Sequence, residues 1–419
     1  MKEITAILIL LTATLSLAEK TPATNSSPAE RAIAQAQTAI ARKPNQSDGY
    51  NQLAIALARR ARETSDVIFY AKAEEALRKS LELAPGNLDA QKIHIWLLLG
   101  RHEFSAALDD AKTLNRRIPD DVLVYGFLVD ANAELGNYKD AETAAQWMLN
   151  LRPGNLPALT RAAYLRELFG DVDGALELMN MAYQSTPPTE NEDGAWILTQ
   201  MGHLRLSEGN TAEAESLLYQ ALQKFPGYQY ALGDLAKVRI MQHRYEDAID
   251  LLQKRYDAAP HAENLYDLAE ALEMAGRASA ARKAFADFEI KSLAESVRAD
   301  NSNRELIFYY ADHAHEPAKA LEVAQKESAR RHDVYTLDAY AWALHVSGQN
   351  GEARKQIDAA LVVGIRDAKM LRHAGEIALS LGDEVVAERF LQDAAALNAP
   401  GSEQARTTLA RLTRVAQNH

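Results

Sequence analysis

Residues 195–228 read AWILTQMGHLRLSEGNTAEAESLLYQALQKFPGY. Met201 and Gly202 lie in a first apolar-rich run, Gly209 and Asn210 interrupt it, and Ala214, Leu218 and Ala221 line one face of a second run that Pro226 stops. This spacing predicts two antiparallel helices joined by a tight turn. Gly202 and Ala214, twelve residues apart, are small where the helices must approach, Gly209 supplies the positive φ of a helix terminus, and Pro226 fixes the exit direction.

The same frame extends in both directions. Alanine recurs at Ala32, Ala73, Ala107, Ala141, Ala175, Ala214, Ala248, Ala281, Ala320, Ala353 and Ala387, and proline follows twelve residues later at Pro44, Pro85, Pro119, Pro153, Pro187, Pro226 and Pro260. Two residue types locked to one period of about 34 residues mark a helix-turn-helix solenoid, in which each unit packs only on its neighbours. After Ala281 the proline fails, with Leu293, His332, Ile365 and Ala399 in its place, so unit boundaries past about residue 285 rest on the alanines alone. Extra residues at 62–66, 185–193 and 292–302 read as lengthened loops.

This pattern resembles the tetratricopeptide repeat family, whose signature pairs small residues on both helices with a terminal proline. The resemblance implies an all-α, right-handed α-solenoid of about ten antiparallel helix-turn-helix units over residues 47–401. A capping helix at 28–46 and a second cap with a tail at 402–419 flank it. The small position of the first helix holds Ala54, Ile95, Val129, Ala163, Gly202, Ala236, Ala269, Phe308, Ala341 and Gly375, with Ile95 and Phe308 larger than the family norm.

Residues 1–18 have a different character. Lys2 precedes an apolar stretch from Ile4 to Leu17, and Ser16-Leu17-Ala18 ends it in a small-x-small pattern, which reads as a secretory signal cleaved after Ala18. An uncleaved anchor is the alternative, but the stretch is shorter than the ~20 residues that span a bilayer. Residues 19–27, rich in Thr, Ser and Pro, read as a flexible leader. The expected product is exported, periplasmic or secreted, with no transmembrane segment in its mature form. The chain has no cysteine, which rules out disulfides, thiolate catalysis and cysteine metal sites. Its 46 basic against 58 acidic residues give a net charge of −12 without any basic run, which argues against nucleic acid as a partner.

Phosphate-cradling glycine loops, serine elbows and zinc-binding helix motifs are missing, so no catalytic residue, cofactor or metal is expected and the chain reads as a non-enzyme. His313 and His315 form the one local histidine cluster. Two residues apart on a helix they point about 200° around, poor geometry for one metal, and a solvated helix end is expected instead. Asp109-Asp110 and Asp120-Asp121 read as turn or N-cap residues.

In the family that the repeat resembles, the first helices line a concave groove, and the residue after each small position projects into it. That stripe holds Trp96, Asp130, Tyr164, His203, Lys237, Glu270, Tyr309, Trp342 and Glu376. One turn earlier it is joined by Lys92, Tyr266, Asp338 and Arg372. Aromatics on this stripe either anchor a ligand or pack between repeats, and the sequence leaves both open. The mixed charge departs from the concentrated basic clusters of family members that clamp acidic chaperone tails. The expected function is therefore a scaffold or adaptor that binds a protein or peptide ligand in its groove. A glycan-handling component of an envelope or polysaccharide-export system is the alternative, motivated by the aromatic residues.

Overall fold

The computed structural model describes residues 27–416 apart from 65, 67, 297–300 and 302, so the signal and the leader up to residue 26 lie outside the described residues. A lone helix α1 (Pro28–Arg42) precedes ten antiparallel pairs, called units 1 to 10. Units 1 to 3 are α2/α3 (Ser47–Thr64, Ile68–Leu83), α4/α5 (Leu88–Gly100, Phe104–Arg117) and α6/α7 (Val122–Glu134, Tyr138–Leu151). Units 4 to 6 are α8/α9 (Leu156–Leu168, Val172–Ser185), α10/α11 (Asn191–Ser207, Thr211–Lys224) and α12/α13 (Gln229–Met241, Tyr245–Ala258). Unit 7 is α14/α15 (Ala262–Met274, Ala278–Glu295), and unit 8 pairs α16 (Asn303–Phe308), continued by a π-helical turn Tyr309–His313, with α17 (Pro317–Ser328). Units 9 and 10 are α18/α19 (Val334–Val346, Asn350–Leu361) and α20/α21 (Ala368–Ser380, Glu384–Ala396), and α22 (Ser402–Ala416) packs on the last of them. The described residues contain no strand. The fold is an α-solenoid.

Composition decides which helix of a unit lies inside. The first helices bury residues on more than one face: in α4, Ala90, Ile93, Ile95, Leu97, Leu98 and Leu99 are all buried, because the helix meets its own partner and the next unit at once. The second helices bury one stripe, as α5 does with Phe104, Ala107, Leu108, Ala111 and Leu114, and turn a charged face outward. The repeating alanines from Ala73 to Ala387 are all buried. Ala32 is only half-buried, since α1 buries Ala29 and Ala36. A Cβ on Gly202 would sit 2.9 Å from Leu218 Cγ and 3.5 Å from the Ala214 carbonyl oxygen, so the close approach read from the sequence is real. Gly375 meets Leu391 and Ala387 in the same way.

Caps and turns are equally regular. Asn87, Asp121, Asn155, Asp333 and Asp367 cap first helices with their side-chain oxygens. Ser27, expected to close the leader, caps α1 and also donates to Glu63 Oε2 at 2.6 Å. Asp109 and Asp110 differ from expectation: they lie exposed in the middle of α5 and cap nothing. Five residues before each repeating alanine from Ala107 onward, the turn adopts positive φ, using His102, Gly136, Gly170, Gly209, His243, Gly276, His315, Gly348 and Gly382.

The coil returns onto itself. The turn of unit 3 meets the loop after unit 8, where the His332 amide donates to the Glu134 carbonyl at 3.0 Å and the Val334 amide donates to Tyr138 Oη at 2.9 Å. Arg331, itself buried, ties Glu134 (2.6 Å) to Asp333 (2.9 Å) across that junction. The turn of unit 4 meets the loop after unit 9, with Gly170 against the Gly364 carbonyl, and the turn of unit 5 meets residues 397 and 398 after unit 10. Nearer the N-terminus, the end of α2 and the start of α10, where the sequence reading expected simple loops at 62–66 and 185–193, are drawn together. Arg59 pairs with Glu190 (3.2 Å) and Arg62 with the buried Glu192 (3.3 Å).

Candidate functional site

Inside the closed coil lies a chamber of two lobes, about 440 and 420 Å³, that share Glu167, His203, Lys237, Glu305, Phe308, Tyr335 and Lys369 in their walls. Most of its lining comes from α8, α10, α12, α14, α16, α18 and α20, so the first helices of seven consecutive units face one space, joined by Val172 of α9, Arg255 of α13 and the loops after units 9 and 10. The walls carry both charges in a linked series. His203 sits between Glu167 (3.2 Å) and Asp234 (3.7 Å), Lys237 pairs with Asp234 at 2.9 Å, and Arg255 holds Asp267 and Glu263 together, the latter at 3.3 Å. Lys369 rests its ammonium 3.3 Å from the centre of the Phe308 ring, and Arg304 lies 5.9 Å over Tyr335.

Low solvation tunes these groups. Burial lowers the affinity of His203 for a proton, but Glu167 and then Asp234 outweigh it and raise the pKa above the usual histidine value. Burial, aided by Glu263, raises the Glu305 carboxyl, and burial also raises Asp267 against the pull of Arg255. Asp338 is pushed up to about 7 by burial, although Lys369 and Arg372 oppose the shift. Its Oδ1 is 2.7 Å from His373 Nδ1, and Arg372 Nη2 is 2.8 Å from the other ring nitrogen. A guanidinium can only donate, so His373 is neutral and carries its proton on Nδ1, directed at Asp338. Burial and then Arg372 keep the His373 pKa well below the usual value.

The structure sorts the stripe residues into groups. Tyr164, His203, Lys237, Tyr266, Glu270 and Asp338 line the chamber, Tyr266 and Asp338 being almost fully buried in its wall. Lys92 is drawn to Asp121 at 2.5 Å, and Asp130 is held by Arg161 through two contacts of 2.5 and 2.7 Å. Both lie outside the chamber. Trp96 is half-buried between units 1 and 2, with Arg62 6.0 Å from its ring centre.

Trp342, expected on an exposed stripe, is 5% exposed. Its indole stacks on His373 at 4.1 Å and donates to Asp312 Oδ1 at 2.8 Å, so it packs between units 8, 9 and 10. Arg372 lies 5.0 Å from the same ring and pairs with Glu376 at 2.8 Å, and neither Arg372 nor Glu376 is in the chamber wall.

Tyr309 is displaced by the π-helical turn. Thirteen residues separate the buried Ile307 from Ala320, whereas twelve separate Gly202 from Ala214. The added residue puts Ile307 in the small position, which carries Phe308 into the chamber and sends the Tyr309 hydroxyl to Glu289 at 3.3 Å. His313, expected at a solvated end, is instead enclosed against Phe285 (4.2 Å), between Glu273 (3.0 Å) and Glu270 (3.6 Å).

Several chamber residues escaped the stripe. Asp234 and Asp267 stand two residues before the small position of their helices, a face adjacent to the stripe. Tyr335 and Lys369 stand six before it, in the first turns of α18 and α20. Those helix starts lie at the closure of the coil, where only the tertiary path brings them to the chamber.

A tetratricopeptide repeat family model matches residues 205–260. No curated protein sequence matches the chain. Among solved structures the fold is similar to the crystal structure of the APC/C hetero-tetramer Cut9-Hcn1, at 16% identity and a TM-score of 0.51, covering 87% of this chain and 58% of that one. It is also similar to the human IFIT1 dimer with PPP-AAAA, at 15% identity and a TM-score of 0.50, covering 88% and 87% of the two chains. The chain thus spans less than two thirds of the Cut9-Hcn1 chain it matches, and at such identities the likeness is one of fold. Residues 205–260 thus carry a tetratricopeptide repeat, and they lie within an array of like units, paired helices repeating at about 34 residues with a small residue at the closest approach of units such as α10/α11 and α20/α21.

Proposed function

We propose that the protein is a non-enzymatic scaffold of the bacterial envelope that binds a protein or peptide segment in its central chamber. One observation carries this reading: seven consecutive units turn charged and aromatic side chains into one continuous space. Carboxylates, cations and aromatic faces alternate along its wall, a pattern that suits a chain carrying both charges better than a ligand of one sign. Of the aromatic residues that motivate the glycan alternative, Trp342 is covered by His373 and Arg372 and Trp96 lies outside the chamber wall, whereas Tyr164 lines it. The envelope location draws on the signal-like residues 1–18 and the lack of cysteine. Among the described residues, no helix is long and apolar enough to cross a membrane.

A photo-crosslinking side chain placed at Gln200, on the chamber wall, and at Glu142, exposed on α7, tests the reading in cells. Capture of a protein from position 200 but not from 142, weakening as salt is raised, is the expected result. Equal capture at both positions, or none at 200, overturns it. N-terminal sequencing of protein from an exporting host should find a chain beginning at Glu19.

A further inference from the structure

We infer that the coil is a clasped collar entered along its axis, and that its ligand is a slender segment with a free end, not the surface of a folded partner. This deepens the proposed function, resting on the chamber being the binding site, and it concerns how that site is reached. A solenoid that merely curves leaves its concave face open along one side. Here the side is shut by three successive junctions, the turns of units 3, 4 and 5 against the loops after units 8, 9 and 10.

The turn glycines show that these junctions are close-packed. A Cβ on Gly136 would lie 2.7 Å from the His332 carbonyl oxygen, and one on Gly209 would lie 2.6 Å from that of Asn398. Gly170 would collide with the Gly364 carbonyl, and Gly364 with that of Phe169 at 2.8 Å. Gly276, Gly348 and Gly382 occupy the same turn position in units 7, 9 and 10 and would meet nothing within 4 Å. At the equivalent turns of units 2, 6 and 8 the chain uses histidine. Positive φ alone therefore does not demand glycine here, whereas each turn in the seam has one. The Glu134–Arg331–Asp333 cluster, with Arg331 9% and Asp333 2% exposed at the side chain, adds a buried charged link at the same seam.

The absence of cysteine permits a direct test that needs no ligand. Gln200→Cys places a single thiol on the chamber wall, and Glu142→Cys, made separately, places one outside. Each variant is treated with a maleimide on a slender linear polyethylene glycol and with one held on a short tether to a globular protein. Both reagents should label position 142 alike. At position 200 the globular reagent should react at least about tenfold more slowly than the linear one, because it must wait for the seam to open. Gly170→Leu, which wedges the seam, should narrow that gap, whereas Gly276→Leu should leave it unchanged.

Equal rates for the two reagents at position 200 in the otherwise native chain would overturn the inference, whether or not the wedged variant folds. Failure of the linear reagent to reach position 200 would overturn it too. The cross-linking experiment can fail while this one succeeds, so an empty chamber and an open chamber are distinguishable.

Discussion

At the scale of single residues, small side chains and burial set the energetics. Gly202→Leu would drive new atoms into Leu218, whose Cγ is 2.9 Å from the position of a Cβ, and overpacking of this kind costs about 1–3 kcal/mol. Thermal or denaturant unfolding should show that loss. Trp342→Ala should cost about 3–5 kcal/mol, since it empties a buried site and leaves Asp312 without its indole donor.

Two titrations should differ in their pH windows. His203 has a raised folded pKa, so its imidazolium stabilises the fold fully below the ordinary value of about 6.5, and that contribution fades as pH rises through the folded pKa. Asp338 is raised as well, to about 7 from an ordinary value near 4, so its share of stability falls from about pH 4 upward and levels off above the folded pKa. Melting temperatures across this range should lose the higher step in His203→Gln and the lower one in Asp338→Asn. Unchanged profiles in both variants would mean these groups are solvated.

At the scale of the element, helix starts and one irregular turn decide placement. Asn155 accepts from the Ala158 amide at 2.9 Å and donates to the Arg152 carbonyl at 2.6 Å, joining the end of α7 to the start of α8. Asn155→Ala should cost about 1 kcal/mol in equilibrium unfolding. The π-helical turn at Tyr309–His313 holds one extra residue within unit 8, and that single insertion exchanges Tyr309 for Phe308 in the chamber wall. A mean period of about 34 residues can be read along the chain, but a one-residue change of phase inside a helix leaves the period nearly intact. Phe308 at a small position was its one visible trace.

At the scale of the whole molecule, the seam converts nearest-neighbour packing into a closed circuit. Arg331→Ala would leave Glu134 and the buried Asp333 without their shared cation, and breaking a buried pair in this way costs about 3–5 kcal/mol. Lost compactness in small-angle scattering should accompany the lost stability if the seam holds the coil closed. A destabilised chain with unchanged dimensions would assign the cluster to local packing alone.

The array, its approximate count of units and the residues that close each helix pair were written in the chain, because each follows from contacts inside one unit or with the next. Gly202 against Leu218 and Ala214 is such a contact, and its spacing in sequence carries the geometry. The chamber was legible only in part. Tyr164, His203 and Lys237 follow from helix periodicity, whereas Tyr335 and Lys369 face the chamber because units 9 and 10 come round to units 4 and 5. The same return buries Arg331 against Glu134, 197 positions away. Periodicity fixes which face of a helix is apolar. Small rotations summed over successive units fix where the coil meets itself, and that sum resides in the tertiary structure alone.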